Sequence, residues 1–463
     1  MERMSIREIA GEVKGRIIGN PELSIANVVR DNRDVQAESL FVALRGLNHD
    51  GHAYIKSSFE NGAAAVLAEE GNPYLEGLSL GEKQALILTA NTQAALEDLG
   101  CAYRRRFAIP VVGVTGSVGK TSCKDITAAA LSGALKVVKT EKNYNNEIGV
   151  PLTLFRIDRS TQAAVIEMGM DHAGEIDRFA RMAQPQYGVI TNIGLSHIEN
   201  LGSQEGILRA KLEILNHMPK DGSLFLNGDD PLLYGLKGTL PVKTEYFGFK
   251  EHNDARALET DMTESGNLRV RLLYQGEEYR FVLNTPGTHM AYNALPAIMI
   301  ARHLGLEPKE IIAGLTQYVP TELRLQIKSN EAYRVLDDSY NASPDSMEAA
   351  IRTLVQLPGE GRRVAILGDM FEMGAQAEEA HRRVGRFLAG QTKVQTAILI
   401  GAQARWMYEE ARKNPAIQCY YFETTKEMEK KAFDILQKND IILVKASHGM
   451  RLDLVSSYIL NRK

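Results

Sequence analysis

Residues 111–122 constrain the fold more than any other part of this 463-residue chain. The segment begins with β-branched apolar residues after Pro110, which predicts a short buried strand. The turn that follows contains Gly116 and Gly119. Because glycine has no Cβ atom, the backbone N–H groups of this turn can face an anion. A helix-forming segment follows Lys120, so a helix N-terminus faces the same anion. Strand, glycine loop, Lys-Thr and helix together predict a P-loop that binds ATP.

In a P-loop the lysine reaches β- and γ-phosphate oxygens, and the following hydroxyl can ligate Mg²⁺. These residues are Lys120 and Thr121 here. The common pattern has a glycine where this chain has Val114, with Gly113 one step earlier. A glycine-rich turn with an accidental Lys-Thr is the alternative, but the strand and helix around it favour ATP. The predicted ATP-binding residues of the loop are Thr115, Gly116, Ser117, Val118, Gly119, Lys120, Thr121 and Ser122.

Composition narrows the class of protein. A formal charge of −4 and a pI of about 6.3 do not suggest a surface for polyanions, so we expect no nucleic-acid partner. Three widely separated cysteines argue against a disulfide framework or a zinc cluster, and they are typical of a reducing cytosol. Neither an apolar signal core nor a run of membrane-spanning length is evident. We therefore expect a soluble cytoplasmic protein with no membrane span.

The order of predicted elements indicates an α/β protein of three domains. Residues 1–107 predict a small mixed α/β domain, with a helical stretch running on to residue 65. Residues 108–319 predict a central P-loop domain with a mostly parallel sheet, followed by β-hairpins over 243–283. Residues 320–463 restart the alternation and predict a Rossmann-like domain. This last domain lacks a G-x-G-x-x-G fingerprint, so a nicotinamide cofactor is not expected.

The individual elements of the later part of the chain can also be placed. Gln275-Gly276 predicts a hairpin turn, and residues 291–303 predict a helix that closes the central domain. In the last domain we predict strands at 334–337, 363–367, 396–400, 418–422 and 441–445. Helices are predicted around 345–356, 377–389, 403–413 and 425–437.

Two polar residues follow predicted strands of the central sheet. The apolar run 163–167 ends in Glu167, and the run 187–193 ends near His197. Ligands gather at the carboxyl ends of parallel strands, so both side chains are expected beside the P-loop, where a carboxylate can hold Mg²⁺. Taken alone, Glu167 could be an exposed strand end and His197 a structural histidine. Their clustering favours metal binding.

Two further polar segments each allow two interpretations on the residues alone, and one lysine has a single default interpretation. The Asn-rich loop 143–151 suits phosphate and carboxylate oxygens, but Asn and Gly also favour ordinary turns. Lys211 lies in a predicted helix, where a solvated lysine is the default. Asp337 and Asp338 follow a strand and precede a helix, so they either hold a ribose or a basic substrate or cap the helix.

Taken together, these motifs resemble those of the ATP-dependent Mur ligases. The resemblance is carried in the centre by residues 116–121, 143–146, 167–169, 191–199, Lys211, Asn293 and Arg324. At the N-terminus, residues 31–33 and 46–52 are similar to the UDP-sugar-binding domain of the members that add the third residue and the terminal dipeptide. Residues 338–344 and 367–374, with His381, look like the dipeptide-adding type. The Asp-Asn-Pro-Arg-like motif of the diaminopimelate-adding type is not found.

The resemblance implies a ligase that uses ATP to convert the terminal carboxylate of UDP-N-acetylmuramoyl-tripeptide into an acyl phosphate. The amine of D-Ala-D-Ala then attacks, and phosphate leaves. It also implies a place in peptidoglycan synthesis, and hence in cell-wall biogenesis, cell shape and cell division, and we expect a monomer. A ligase that adds a single amino acid, or glutamate to folate, is the nearest alternative. A nucleotide-dependent switch is the alternative from another class.

Catalytic roles follow from the same resemblance. Lys120 would neutralise the γ-phosphate, while Thr121 and Glu167 would hold one Mg²⁺. His197 would hold a second Mg²⁺ between the γ-phosphate and the acceptor carboxylate. Lys211 matches a position that family members carry as a carbamylated lysine.

Binding residues are implied in the same way. Asn293 would contact adenine, and Arg324 and Asp338 would contact ATP from the last two domains. The implied substrate-binding residues are Asn32, Arg33, Arg45, Gly46, Asp50, His52, Asn143, Asn145, Asn146, Tyr340 and Asn341. The family usually has serine where this chain has Asn32, and the amide can still donate a hydrogen bond. Whether the third residue of the tripeptide is diaminopimelate or lysine stays open.

Overall fold

Each of three successive stretches of the chain builds a main sheet, of five, nine and then six strands. The computed structural model describes residues 1–46 and 49–461. The strands of the three sheets lie within residues 16–89, 111–283 and 326–445. The predicted α/β class is therefore confirmed, and the boundaries after residues 107 and 319 stay predictions.

The first unit contains a five-stranded sheet and a separate two-stranded sheet, flanked by helices. Its strands are β1 Met4–Ser5, β2 Arg16–Gly19, β3 Ser24–Ile25, β4 Asn27–Val29, β5 Ser39–Val42, β6 Ala65–Glu69 and β7 Ala85–Thr89, and its helices are α1 Ile6–Glu12, α2 Ile55–Glu60 and α3 Thr92–Arg104. Strands β4 to β7 pair in parallel, and β2 joins β7 antiparallel. The helix predicted to run on to residue 65 is wrong. The helix ends at Glu60, Gly62 follows with a φ of +102°, and the buried residues from Ala65 pair on both sides as a strand.

The central unit is built around the P-loop strand. Its strands are β8 Val111–Thr115, β9 Val137–Lys139, β10 Ala163–Glu167, β11 Tyr187–Ile190, β12 Ser223–Asn227, β13 Lys243–Gly248, β14 Ala255–Met262, β15 Leu268–Tyr274 and β16 Glu277–Leu283. Its helices are α4 Lys120–Leu131, α5 Gly149–Leu154, α6 Glu175–Ala183, α7 Ile198–Leu201, α8 Gln204–Leu212, α9 Pro231–Tyr234, α10 Ala291–His303 and α11 Pro308–Thr316. Strand β8 lies between β10 and β11 and pairs in parallel with both.

The far edge of this sheet departs in part from the prediction. Strands β14, β15 and β16 form the expected antiparallel hairpins, and Gln275-Gly276 makes the turn with φ values of +52° and +80°. Strand β13, however, pairs in parallel with both β12 and β14. It therefore continues the parallel sheet, because the connection that precedes it crosses over instead of turning back.

The last unit matches the predicted alternation closely. Its strands are β17 Gln326–Ser329, β18 Tyr333–Asp337, β19 Arg363–Gly368, β20 Val394–Ile400, β21 Gln418–Phe422 and β22 Asp440–Lys445. Its helices are α12 Pro344–Gln356, α13 Ala377–Ala389, α14 Ala404–Ala411, α15 Thr425–Ile435 and α16 Leu452–Asn461. All pairs are parallel except β17 with β18. Strand β17 and helix α16 were not predicted.

The parallel sheet positions the functional residues. Strands β8, β10 and β11 end at one edge, so the residues after Thr115, Glu167 and Ile190 come together there. The last unit faces the same edge. Within the described residues, no helix combines the length and the apolar character needed to cross a membrane.

Candidate active site

A cavity of about 680 Å³ lies at the carboxyl edge of the central sheet, between the central and last units. Many of the residues predicted from the sequence line it: Ser117, Val118, Gly119, Lys120, Thr121, Ser122, Asn143, Asn145, Asn146, Glu167, His197, Asn293, Arg324, Asp338, Tyr340 and Asn341. Seven charged or titratable lining residues were not proposed as site residues: Glu147, Asp171, His172, Glu175, His289, Glu372 and Lys445. The cavity therefore combines a P-loop with side chains from two domains.

The P-loop has the backbone geometry that phosphate binding requires. Gly116 and Gly119 have φ values of +144° and +86°, and a Cβ on Gly116 would lie 1.9 Å from Thr191 Oγ1. Lys120 Nζ donates to the carbonyl oxygens of Gly116 and Ser117 at 2.8 and 3.2 Å. Burial lowers the pKa of Lys120. The lysine is thus folded over the loop from which it would reach a phosphate.

Asn192 fixes the loop from the neighbouring strand end. Its Oδ1 accepts from the Val118 N–H at 2.9 Å, and its Nδ2 donates to the Val118 carbonyl at 3.0 Å. The Ser117 N–H donates to the backbone carbonyl of Asn192 at 3.1 Å. These three bonds hold the loop in shape through contacts that are distant in sequence. In the sequence, Asn192 follows an apolar strand and lies in the segment 191–199 that carries the resemblance, but neither signal gives its contact with the P-loop.

Glu167 has an oxygen available for a ligand. Its Oε1 accepts from Thr121 Oγ1 at 3.0 Å and from Asn145 Nδ2 at 2.9 Å. Its Oε2 is buried and has no hydrogen-bond partner among the described residues. The side chain is 1% exposed, so the exposed strand-end interpretation is wrong. A buried, unpartnered carboxylate oxygen beside a hydroxyl fits Mg²⁺, which prefers oxygen ligands.

The other ligands of such an ion are not a protein cage. Within residues 1–46 and 49–461, no group of three or more His, Cys, Asp or Glu side chains is arranged to hold a metal. Mg²⁺ is usually bound through one or two carboxylates, substrate phosphates and water. The donor set around Glu167 and Thr121 therefore fits Mg²⁺ that arrives with a nucleotide.

His197 stands where the two walls of the cavity meet. Its Nδ1 lies 3.1 Å from Asp171 Oδ1 of the central unit and 3.1 Å from Glu372 Oε2 of the last unit. The hydrogen bond from His197 lowers the pKa of the Glu372 carboxyl group. His197 has a φ of +61° and is partly exposed to the cavity. His197 is therefore accessible to a ligand in the cavity.

Lys211 is buried instead of solvated. It lies near the end of α8 and is 1% exposed, so the default interpretation is wrong. Burial, and then the charge of Lys120, lower its pKa well below the usual range. This pKa shift favours the neutral amine for Lys211.

Three of the predicted site residues do not line the cavity: Thr115, Gly116 and Lys211.

The last unit contributes a stacked arginine. The Arg324 guanidinium lies 4.2 Å from the centre of the Tyr340 ring. Its Nε is buried and has no hydrogen-bond partner among the described residues. Leu323 and Leu325 on either side have φ values of +61° and +49°, a region that leucine rarely adopts. The strained backbone around Arg324 is typical of a functional position.

Asp338 does not cap the next helix. Its Oδ2 accepts from Lys445 Nζ at 2.6 Å, and its Oδ1 accepts from the Leu325 N–H at 3.2 Å. Helix α12 is capped instead by Ser343 together with Ser346. The capping interpretation is therefore wrong, and Asp338 joins the linker to the last sheet at the cavity wall.

The Asn-rich loop and Asn293 complete the central wall. Asn145 bonds Glu167, as above, whereas Asn146 Oδ1 accepts from the Gly149 N–H at 2.9 Å and supports the start of α5. A Cβ added to Gly119 would lie 3.1 Å from Asn293 Oδ1, so Asn293 lies against the P-loop. Burial lowers the pKa of nearby His289 to about 4, so this histidine is neutral.

The substrate-binding residues predicted in the first unit do not line this cavity. Asn32 Nδ2 donates to Ser57 Oγ at 3.1 Å, and Arg33 pairs with Asp31. His52 is fully buried, with Nδ1 2.6 Å from Asp50 Oδ1 and Nε2 accepting from the Glu69 N–H. Arg45 pairs with Glu69, and Gly46 bonds the His49 carbonyl. A smaller cavity of about 110 Å³, lined by Arg30 and residues of the Asn-rich loop, joins the first and central units. The roles of these residues stay predictions.

Comparison with known proteins agrees along the whole chain. Residues 114–301 match the family described as Mur ligase middle domain, and residues 323–448 match Mur ligase, glutamate ligase domain. A Bacillus subtilis UDP-N-acetylmuramoyl-tripeptide–D-alanyl-D-alanine ligase is 36% identical over 98% of this chain and 97% of its own. An Escherichia coli ligase of the same name is 31% identical over 87% of each.

Solved structures show the same similarity. MurF from Acinetobacter baumannii superposes with a TM-score of 0.90 at 26% identity, covering 100% of both chains. MurF ligase from Thermotoga maritima in complex with ADP superposes with a TM-score of 0.80 at 25% identity, covering 93% of this chain and 96% of that one.

Proposed function

The chain belongs to the Mur ligase family, and from that premise we propose that it joins D-Ala-D-Ala to UDP-N-acetylmuramoyl-tripeptide. The reaction consumes ATP and gives UDP-N-acetylmuramoyl-pentapeptide, ADP and phosphate. Relatives across nearly the full chain carry the name of this activity. The observation that carries the proposal is the cavity in which the P-loop, the unpartnered Glu167 oxygen and the stacked Arg324 meet.

The first step is phosphoryl transfer from ATP to the terminal carboxylate of the tripeptide. Lys120 and the N–H groups of the loop bind the β- and γ-phosphates and neutralise their charge, because two anions otherwise repel each other on approach. Thr121 and Glu167 would hold one Mg²⁺ and His197 a second. When bound, these ions would neutralise the charge on the oxygens of both reactants.

The second step is attack by the dipeptide. The dipeptide ammonium group first loses one proton to solvent, and the nitrogen lone pair then forms a bond to the acyl carbon of the acyl phosphate, giving a tetrahedral intermediate that loses a second N–H proton. This collapses to the new amide as the C–O bond to phosphate breaks. Walls from two domains surround the reacting groups, which supports exclusion of water from the acyl phosphate.

We also propose that Lys211 is carbamylated. Only a neutral amine adds carbon dioxide, and burial beside the positive charge of Lys120 favours the neutral form. Carbamylation would convert this neutral amine into an anionic carbamate that could support the second metal site. The burial of Lys211 supports this proposal, because an anion there would offset the charge of Lys120.

We propose nucleotide and substrate contacts from all three units. Asn293 would contact adenine, and Arg324 and Asp338 would contact ATP. The residues predicted in the first unit would bind the UDP-muramoyl group, with domains at 1–107, 108–319 and 320–463. Three free cysteines support a reducing cytoplasm. One chain supplies both walls of the cavity, which supports a monomer. Peptidoglycan synthesis would link the enzyme to cell shape and division.

The test is phosphate release from ATP and Mg²⁺ with UDP-N-acetylmuramoyl-tripeptide. One reaction contains D-Ala-D-Ala, and others contain D-Ala, L-Lys or diaminopimelate. We expect phosphate release and a UDP-pentapeptide mass with the dipeptide alone. Turnover with a single amino acid would contradict the acceptor but keep the ligase chemistry. ATP binding without turnover in any reaction would favour a nucleotide-dependent switch.

A further inference from the structure

The last unit places one carboxylate in the cavity that no lysine neutralises. Two acidic residues of this unit are among the described residues that line the cavity, Asp338 and Glu372. Asp338 is paired with Lys445 at 2.6 Å. Glu372 has its contact with His197 of the opposite wall and is otherwise open, since 65% of its side chain is exposed. Glu372 is therefore the carboxylate of this wall that is available to a cationic group.

The loop that carries Glu372 is fixed on three sides. The Asp369 Oδ1 accepts from the Ala404 N–H at 2.6 Å, and the Met370 N–H donates to His381 Nε2 at 3.0 Å. The Phe371 N–H donates to Ser447 Oγ at 2.9 Å. These bonds tie three successive residues to α14, α13 and the segment after β22. Glu372 is thus presented from a rigid loop.

The backbone at Glu372 is itself unusual. Its φ is +61°, a left-handed conformation that a non-glycine residue adopts at a cost. The next glycine, Gly374, has its α-carbon against Glu199 of the central unit, where an added Cβ would lie 3.1 Å from the Glu199 side chain. The strained turn directs the carboxylate across the interface, to within 3.1 Å of His197.

The three substrates make two opposite electrostatic demands on the cavity. ATP and the tripeptide carboxylate are anions, and the P-loop wall meets them with Lys120 and backbone N–H groups. The acceptor instead brings a primary ammonium group, which needs a carboxylate partner. Asp171 is the corresponding carboxylate on the central wall, at the same 3.1 Å from His197. Glu372 differs from it in coming from the wall opposite the P-loop.

We propose that Glu372 binds the amino group of the acceptor dipeptide and holds its nitrogen beside His197, facing the acyl phosphate. This inference rests on the proposed function and names the residue that recognises the amine. The carboxylate accepts hydrogen bonds from the ammonium group and, after one proton is lost to solvent, from the neutral amine, so the nitrogen lone pair is oriented before the bond to the acyl carbon forms. Loop 369–374 thereby becomes the part of the last unit that selects an amine as acceptor.

The experiment compares two acceptors in wild type and Glu372→Gln. D-Ala-D-Ala tests the amine site, whereas hydroxylamine is small and uncharged, attacks acyl phosphates directly, and gives a hydroxamate without that site. We expect the KM for D-Ala-D-Ala to rise by roughly 10-fold or more, as for loss of a charged hydrogen bond. The rate of hydroxamate formation and the KM for ATP should stay within about 2-fold of wild type, since Glu372 acts on the acceptor.

Two matched variants are controls. One tests whether loss of any carboxylate in this unit raises the KM for the dipeptide, and the other tests whether loss of a carboxylate beside His197 does. Glu379→Gln removes an exposed carboxylate from the same unit, paired only on the surface with Arg386. It should leave the KM for D-Ala-D-Ala unchanged. Asp171→Asn removes the other carboxylate at His197. If it raises the KM for the dipeptide as much as Glu372→Gln does, the effect passes through His197 and the proposal is overturned.

Three other results would also overturn it: an unchanged KM for D-Ala-D-Ala, an equal loss of hydroxamate formation, or a raised KM for ATP. Should Glu372→Gln fail to fold, D-lactyl-D-alanine, which carries a hydroxyl in place of the ammonium, provides the test with wild type. It should bind roughly 10-fold or more weakly than the dipeptide, and equal binding would overturn the proposal. Wild type that yields neither pentapeptide nor hydroxamate would instead overturn the proposed function itself.

Discussion

The two walls of the cavity are built in different ways. The P-loop wall comes from the ends of adjacent parallel strands, and its side chains bond one another, as Thr121 and Asn145 do with Glu167. The opposite wall collects Arg324, Asp338 and Glu372 from three separate segments of the last unit. The sheet therefore fixes the positions of the side chains of the P-loop wall. The side chains of the opposite wall depend on how the linker and the last unit are positioned against the central unit. We expect the P-loop wall to govern the chemical step and the opposite wall to govern binding.

The largest effect is expected at the P-loop wall. Lys120→Ala removes the charge that would meet the γ-phosphate in the transition state, and no described side chain replaces it at the loop. We expect kcat to fall roughly 1,000-fold, with a smaller change in the KM for D-Ala-D-Ala. Phosphate release under saturating substrates measures this.

The control is Lys136→Ala, because Lys136 is an exposed lysine of the same unit that pairs with Asp158 on the surface. Its turnover should lie within about 2-fold of wild type, as for most surface substitutions. If Lys120→Ala kept a tenth of the wild-type kcat, the expectation that the P-loop wall governs the chemical step would be contradicted.

The same difference explains which parts could be predicted from the sequence. The strand before the P-loop and the helix after it have local signals, and so do the regular elements of the last unit. Parallel strands bring their carboxyl ends to one edge, so Glu167 and His197 could be placed beside the loop. Strand β13 was misjudged because its parallel pairing depends on a distant partner that no local pattern reveals.

What could not be predicted depends on contacts between units. The burial of Lys211 follows from how α8 packs, and the meeting of His197 with Glu372 follows from how the last unit is seated. Neither leaves a periodic or compositional signal. The acidic motif around residue 372 was visible as a resemblance, but its position in the cavity required the fold.

An intermediate effect is expected at the opposite wall. Arg324→Lys keeps the charge but loses the planar group that stacks 4.2 Å from the centre of the Tyr340 ring. A lysine has no planar guanidinium and no fork of donors, so the substitution is not conservative at a stacked site. We expect kcat/KM for ATP to fall by roughly 10-fold, mainly through KM.

The measurement is a full set of steady-state constants for ATP beside those of Arg352→Lys. Arg352 stacks over Phe387 at 4.4 Å on the surface of the same unit, so it controls for loss of a stacked arginine. A fall in kcat as large as that of Lys120→Ala would mean that both walls serve the chemical step.

The smallest effect is expected at the linker that carries Arg324. Thr321 Oγ1 donates to Asp125 Oδ2 at 2.5 Å, and Asp125 is buried in α4, the helix that begins at the P-loop. This hydrogen bond ties the linker of the opposite wall to the helix of the first. Thr321→Val keeps the shape and removes the donor. We expect the KM for ATP to rise roughly 2- to 5-fold, and the free energy of unfolding to fall by about 1 kcal/mol.

The dependence of this effect on pH follows from the charge of Asp125. Burial raises the pKa of its carboxyl group, but Lys124, Lys139 and the Thr321 hydroxyl lower it more, so the net shift is downward. A lowered pKa gives a contribution to stability that is complete above the pKa of the unfolded chain, about 3.9. That contribution is lost as the pH falls through the folded value. The difference between Thr321→Val and wild type should therefore be constant from pH 6 to pH 9.

Denaturant unfolding and the KM for ATP, measured at several pH values, test this prediction. Thr316→Val is the control, since Thr316 is exposed and its hydroxyl bonds, among the described residues, the Ala313 carbonyl of its own helix. It should leave the KM for ATP unchanged. A rise in KM for Thr321→Val that the control lacks would mean that the P-loop helix holds the linker in place. If both variants behave like wild type, the position of Arg324 is set within the last unit alone, and the two walls are then coupled only through their ligands.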